Sequence, residues 1–281
     1  MRRSPRYRRF VDRVVRGACL LATLLALLPL VGVLAFVVVR GVSGLSLDFF
    51  TELPRPVGEA GGGMAHALVG SLTLLGLGSL IGIPAGVLAG IFLSEFGNTR
   101  FGRFTRFCAD VMAGVPSIAV GLFVYQLIVV PTQGFSAFAG ALALALLMLP
   151  TVTRATEELL KLVPESLREA ALGLGVPRWR ATLRVMLRTA APGIATGVML
   201  AVARAMGETA PLLFTSFNNR FWANGLGEPT ASLPVNIYTY AVSPYADWHR
   251  QAWAAALLLV TFVLCLNVAA RLLSRGRLGA P

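Results

Sequence analysis

Lysine is all but missing from this chain. Of 25 lysines and arginines only Lys161 is a lysine, and acids number 13 and histidines two. The three cysteines, Cys19, Cys108 and Cys265, are far apart and form no C-x-x-C pair. That excludes a disulfide framework and a cysteine-built metal site, and predicts three small buried apolar residues. No G-x-x-x-x-G-K-[ST] run is present, so ATP binding through a P-loop is excluded, and no H-E-x-x-H run offers a zinc site. His66 and His249 stand alone and read as loop or interface residues. Asp110 has no acidic partner in a matching segment, which leaves no hydrolytic constellation. No cofactor is expected.

What is abundant is apolar side chain: 56% of residues, with a mean hydropathy of +0.72. A soluble domain of this length is less apolar, and its apolar runs are shorter. The chain therefore reads as one integral membrane domain. Its net charge of +12 flanks apolar runs instead of spreading over an aqueous surface with interleaved aromatics. Lipid headgroups and membrane topology explain it, and nucleic acid is not expected as a partner.

Six spans are predicted, in an all-α fold. Gly17 to Val39 is uncharged and longer than a signal-peptide core, hence a retained first span. Ala67 to Ser94 is the second; its glycines at 70, 76, 78, 82, 86 and 90 permit close helix approach, and Pro84 is expected to bend it. Val111 to Thr153 carries no charge, and Pro131-Thr132-Gln133-Gly134 divides it into spans at about 111–130 and 135–153. A fifth span is expected at about 191–217 and a sixth from Gln251 to Ala270. Basic residues crowd the tail, the 95–110 and 154–190 loops and the C-terminus. The positive-inside rule then puts both termini in the cytoplasm of a multi-pass cell-membrane protein. Tyr238, Tyr240, Tyr245, Trp248 and Trp253 fit an interfacial aromatic belt at the other side.

Two features carry chemistry. Within the 154–190 loop, Leu167, Ala170, Ala171 and Leu174 follow helical spacing and form one apolar side, and Gly175-Val176-Pro177 stops the helix. A second helix from Arg178 to Thr189 aligns Arg180, Arg184 and Arg188 toward inner-leaflet phosphates. The pattern alone fits equally a docking helix and a helix packed on its own bundle. Further on, Arg204 and Glu208 lie four apart in an apolar stretch, on one helical side. An intramembrane charge costs about 2.5–3.5 kcal/mol by insertion scales and marks a functional site by default. The alternative is a self-satisfied pair that only holds helices together.

Glu169-Ala170-Ala171, three residues and Gly175 resemble the EAA loop of ABC-importer permeases, although Arg188 stands at the family's proline position. Arg204-x-x-Gly207-Glu208-Thr209-Ala210-Pro211, the stretch Asp110 to Leu122 and Leu233-Pro234-Val235-Asn236-Ile237-Tyr238 resemble the phosphate-specific branch, closest to the PstA type. The resemblance implies an ABC type I importer permease fold. It divides the chain into a basic cytoplasmic tail (1–16), a first span with external loop (17–64), a permease transmembrane domain (65–273) with coupling loop 154–190, and a C-terminal tail (274–281). It implies a non-catalytic subunit that docks a separate ATPase through Glu169, Ala170, Ala171 and Gly175. Substrate would pass Arg204, Glu208, Thr209 and Ser117; for Ser117 and Thr209 the bonding of backbone carbonyls is the simpler role. Guanidinium suits an oxyanion as a planar fork of donors. Glu208 either holds Arg204 or accepts a hydrogen bond from protonated phosphate. The implied partners are a second permease of PstC type, an ATPase dimer, an extracytoplasmic phosphate-binding protein and membrane lipids. The alternatives are a permease for molybdate, sulfate or phosphonate, and a stand-alone secondary carrier or channel.

Overall fold

A computed structural model describes residues 5–56, 59 and 61–275. Residues 1–4 of the predicted basic tail and 276–281 of the predicted C-terminal tail, Arg277 among them, lie outside the described residues. All regular structure among the described residues is helical. Among the described residues five helices are long and apolar enough to cross a membrane, or six if a pair bent by 106° counts as one span.

Helix α1 (Pro5–Val42) joins the expected tail and first span into one element. It leans on the body only near one end, where Phe36 meets the Trp253 ring edge-on at 5.1 Å. There Gly41 and Gly44 lie so close to Leu257 and the Arg250 carbonyl that a Cβ would approach within 2.6 and 2.5 Å. A short α2 (Leu47–Thr51), capped by Ser46, interrupts the next loop.

Helices α3 (Ala65–Phe96) and α6 (Ala137–Lys161) form the most extensive pairing in the molecule. Gly78, Gly82, Gly86 and Gly90 present a bare stripe to Ala141, Ala145, Val152 and Thr156. A Cβ at Gly82 would sit 2.9 Å from the Ala145 carbonyl, so backbone packs on backbone, as small residues allow. The predicted glycine face is thus the principal seam. The core around it gathers Leu74, Leu144, Met148, Val152, Ala201 and Met206.

The third crossing differs from expectation. Helix α4 (Arg100–Gly114), capped by Thr99, runs through most of what reads as a charged loop, and α5 (Ser117–Thr132) leaves it at 106°. The break is Val115-Pro116: proline pushes the residue before it out of helical geometry, and Val115 sits at φ −70°, ψ 130°. Uncharged sequence runs straight across this corner, so hydropathy does not reveal it. The expected stop at 131–134 is present, with Gln133 at φ 53°.

Beyond α6 come a short helix α7 (Glu165–Gly173) and the long α8 (Arg178–Met206). The separate Arg178–Thr189 helix of the sequence reading is the first part of α8, and the fifth crossing starts and stops earlier than the 191–217 expected. Its basic residues lie in the same helix as its apolar ones, through a π-helical segment at Ala181–Met186. Helices α9 (Ala210–Thr215), α10 (Leu233–Ala241) and α11 (Ala246–Arg275) complete the chain. At the end opposite the basic loops, Tyr240 stacks on Trp248 at 4.4 Å and is buried, unlike the exposed Tyr238 and Tyr245. His66 lies buried in α3 beside Asn236, 3.4 Å away, not in a loop. The cysteines are not the buried residues expected: Cys19 and Cys265 are exposed and Cys108 is half-buried.

Candidate functional site

Pro164 is the N-cap of α7, ahead of the first intrahelical hydrogen bonds, where a missing N–H costs nothing. At its far end the Gly175 N–H donates to the Leu172 carbonyl (2.9 Å) and the Val176 N–H to the Ala171 carbonyl (3.1 Å). Gly175 sits at φ +77°. This is the glycine-terminated, paired-bond stop that the sequence predicts. Only Ala171 of the predicted apolar side is buried. Leu167 stays 40% exposed and Leu174 85% exposed; Glu169 and Ala170 are exposed too. Apart from Ala171, the apolar side is therefore open within this chain.

Between α7 and the body lies a cavity of about 700 Å³ lined by Ile91, Phe96, Leu172, Trp179 and Leu183. Across it, Glu95 at the end of α3 meets both terminal nitrogens of Arg168: Nη1 donates to Oε2 at 2.9 Å and Nη2 to Oε1. Thr182 Oγ1 donates to Glu95 Oε1 at 3.1 Å. A second ionic group fixes the same end of the molecule. Glu157, fully buried, accepts from Arg106 of α4 (2.6 Å), Arg154 (2.8 Å) and Lys161 (2.5 Å), and Arg154 reaches Asp110 at 3.2 Å. A buried carboxylate is tolerable only when its desolvation is offset by such donors. Neither Glu95 nor Glu157 stands out as functional in the sequence. The available signals are an acid closing the apolar run of α3, and Arg154 and Lys161 at helical spacing around Glu157.

Arg204 and Glu208 do come together, Nε to Oε1 at 3.9 Å, but not as neighbours along one continuous helix. Helix α8 ends at Met206, Gly207 caps it, and Glu208 lies in the non-helical step before α9. The Arg204 side chain is 69% exposed and that of Glu208 16%. Arg204 thus points away from its own bundle, anchored lightly from behind. Across the step, Gly121 of α5 packs so tightly on Pro211 that a Cβ would lie 2.6 Å from its Cα. Ser117 lies one turn before Gly121, and Thr209 two residues before Pro211, so α5 and the 208–211 step share one flank. Arg204, Glu208 and Thr209 thus lie at the end of α8 and in the step after it, and Ser117 at the first turn of α5, while Glu169, Ala170, Ala171 and Gly175 fall in α7 and its stop, at the other end of α8.

The sequence profile described as "Binding-protein-dependent transport system inner membrane component" matches residues 82–278. The chain belongs to this family. The phosphate transport system permease protein PstA of Yersinia pestis is 46% identical, over 97% of this chain and 92% of that protein. PstA 1 of Mycobacterium tuberculosis strain H37Rv is 40% identical over 95% and 88%. Among solved structures, a bacterial ABC transporter involved in import of the acidic polysaccharide alginate superposes with a TM-score of 0.65 at 15% identity, covering 98% of this chain and 99% of that one. The MetNI methionine transporter in an inward-facing form gives 0.59 at 20% identity, over 76% and 96%. These likenesses establish an ABC-importer permease fold. The family member described here is a transport permease of the inner membrane, not an enzyme.

Proposed function

We propose that this chain is the PstA-type permease of an ATP-driven importer for inorganic phosphate, forming half of the translocation path. The observation that carries the substrate is the near full-length likeness to phosphate permeases. The exposed guanidinium of Arg204, held by Glu208, supports a path for an oxyanion. The second permease, of PstC type, stands against that open side, so that the path runs between the two. The open apolar side of α7, with Glu169, Ala170, Ala171 and the Gly175 stop, docks one copy of an ATPase dimer. The basic end is cytoplasmic, and a phosphate-binding protein delivers substrate to the opposite end. Movement of the ATPase pair shifts α7, and α8 carries the shift to Arg204.

The test is uptake of labelled phosphate by proteoliposomes holding the complete complex, with ATP on the α7 side. Uptake that resists competition by excess sulfate or molybdate is the expected outcome. Equal competition by those anions assigns the chain to another oxyanion, and uptake without any ATPase assigns it to the carriers.

A further inference from the structure

Helix α7, to which the docking role is assigned above, is attached to the rest of the chain at few points. Its apolar side is open, Ala171 is its one buried residue, and its packing within the chain is on the π-helical start of α8, beside an open-sided cavity of about 700 Å³ that it shares with the ends of α3 and α8. Packing on one short stretch of α8 leaves the angle of α7 to α3 to be set by other contacts. What crosses the void is Glu95. Its carboxylate takes the guanidinium of Arg168 on α7 in a two-pronged grip and the hydroxyl of Thr182 on α8. A two-pronged arginine–carboxylate contact fixes orientation as well as distance, which a single ion pair does not. The Glu95 side chain is 17% exposed and that of Arg168 31%, so water screens the contact only in part.

Thr182 lies at a telling position. It falls in the π-helical segment Ala181–Met186, where the regular hydrogen-bond ladder of α8 is interrupted. Such segments are weak points of a long helix and recur at functional sites. The single Thr182 hydroxyl hydrogen is shared between Glu95 and the Arg178 carbonyl, also at 3.1 Å. Glu95 therefore braces α8 where it would otherwise give, and ties that place to α7 and to α3.

We propose that Glu95 is a positioning residue for coupling: its clamp on Arg168 and Thr182 makes α7 and the base of α8 move as one body, so that displacement of α7 reaches the path. This rests on the docking role proposed above for α7. Without the clamp, α7 still engages the ATPase but swings over the cavity, and hydrolysis proceeds without transport.

The experiment compares ATP hydrolysis and phosphate uptake by the complete complex in proteoliposomes, for wild type, Glu95→Gln, Thr182→Val and the exchanged pair Glu95→Arg with Arg168→Glu. The ATPase is expected to co-purify with every variant. Phosphate moved per ATP is expected to fall about tenfold in Glu95→Gln and about twofold in Thr182→Val, and to recover in part in the exchanged pair. An unchanged ratio in Glu95→Gln overturns the proposal, as does a proportionate loss of hydrolysis and uptake. If the Glu95→Gln complex does not assemble, Thr182→Val, which removes only a hydroxyl contact, decides in the same way. Failure of the wild-type chain to retain any ATPase sinks instead the docking reading, so the two failures are distinct.

Discussion

At Arg204 a charge that is costly in an apolar setting is left mostly unburied within its own chain, with one acid at 3.9 Å. A pair at that distance with its arginine mostly exposed contributes about 0–1 kcal/mol, so stability does not explain the residue. Arg204→Ala is expected to leave thermal unfolding of the purified chain almost unchanged while phosphate uptake falls about tenfold or more, as loss of a charge-assisted hydrogen bond of about 1.5–3 kcal/mol predicts. Unfolding temperature and initial uptake rate, measured on one preparation, check both halves. Arg204→Lys is expected to recover little, since an ammonium lacks the planar fork. Glu157 is the opposite case: fully buried, with three cationic partners, it is structural. The sequence exposes Arg204 and Glu208 because charges in an apolar run are conspicuous. It hides Glu157 and Glu95 because their partners Arg106 and Arg168 lie 51 and 73 residues away, beyond any local pattern.

Among the elements, the α3–α6 seam and the α7 stop have the sharpest requirements. Gly82 leaves no room for a side chain against Ala145. Gly82→Leu is expected to lower stability by about 1–3 kcal/mol, the usual cost of overpacking, seen as reduced yield and a lower unfolding temperature in detergent. Gly175 differs, because nothing lies within 4 Å of an added Cβ and only its φ of +77° resists substitution. Gly175→Ala is expected to cost about 1–2 kcal/mol through left-handed backbone strain alone. Its readout is weaker retention of the ATPase on the purified complex, with little change in the fold of the permease. Both features were legible, one from spacing and the other from a glycine before Val176-Pro177. The corner at Val115-Pro116 was less so: composition is uniform through it, and the decision rests on backbone geometry. The merger of the arginine row into α8 also escaped hydropathy, because a long helix can keep charges on one flank while its other flank enters apolar surroundings.

For the molecule as a whole, a passive gate and a self-sufficient carrier differ in what the isolated chain can do. Liposomes holding only this chain are expected to show no phosphate flux above empty vesicles; addition of the second permease and the ATPase is expected to produce ATP-dependent uptake. The crowding of arginines at one end of the molecule was plain in the sequence, whereas the relation between the two ends was not. That relation depends on α8 continuing for 29 residues, with the brace at Glu95 stiffening its π-helical segment. At 1.5 Å per residue such a rod is about 43 Å long, so tilting it by about 5° about its base displaces its tip by about 4 Å. A hydrogen bond is lost over a smaller distance. A nudge too slight to unseat any contact at the base is therefore amplified, at the tip, into the difference between a guanidinium that reaches an anion and one that does not.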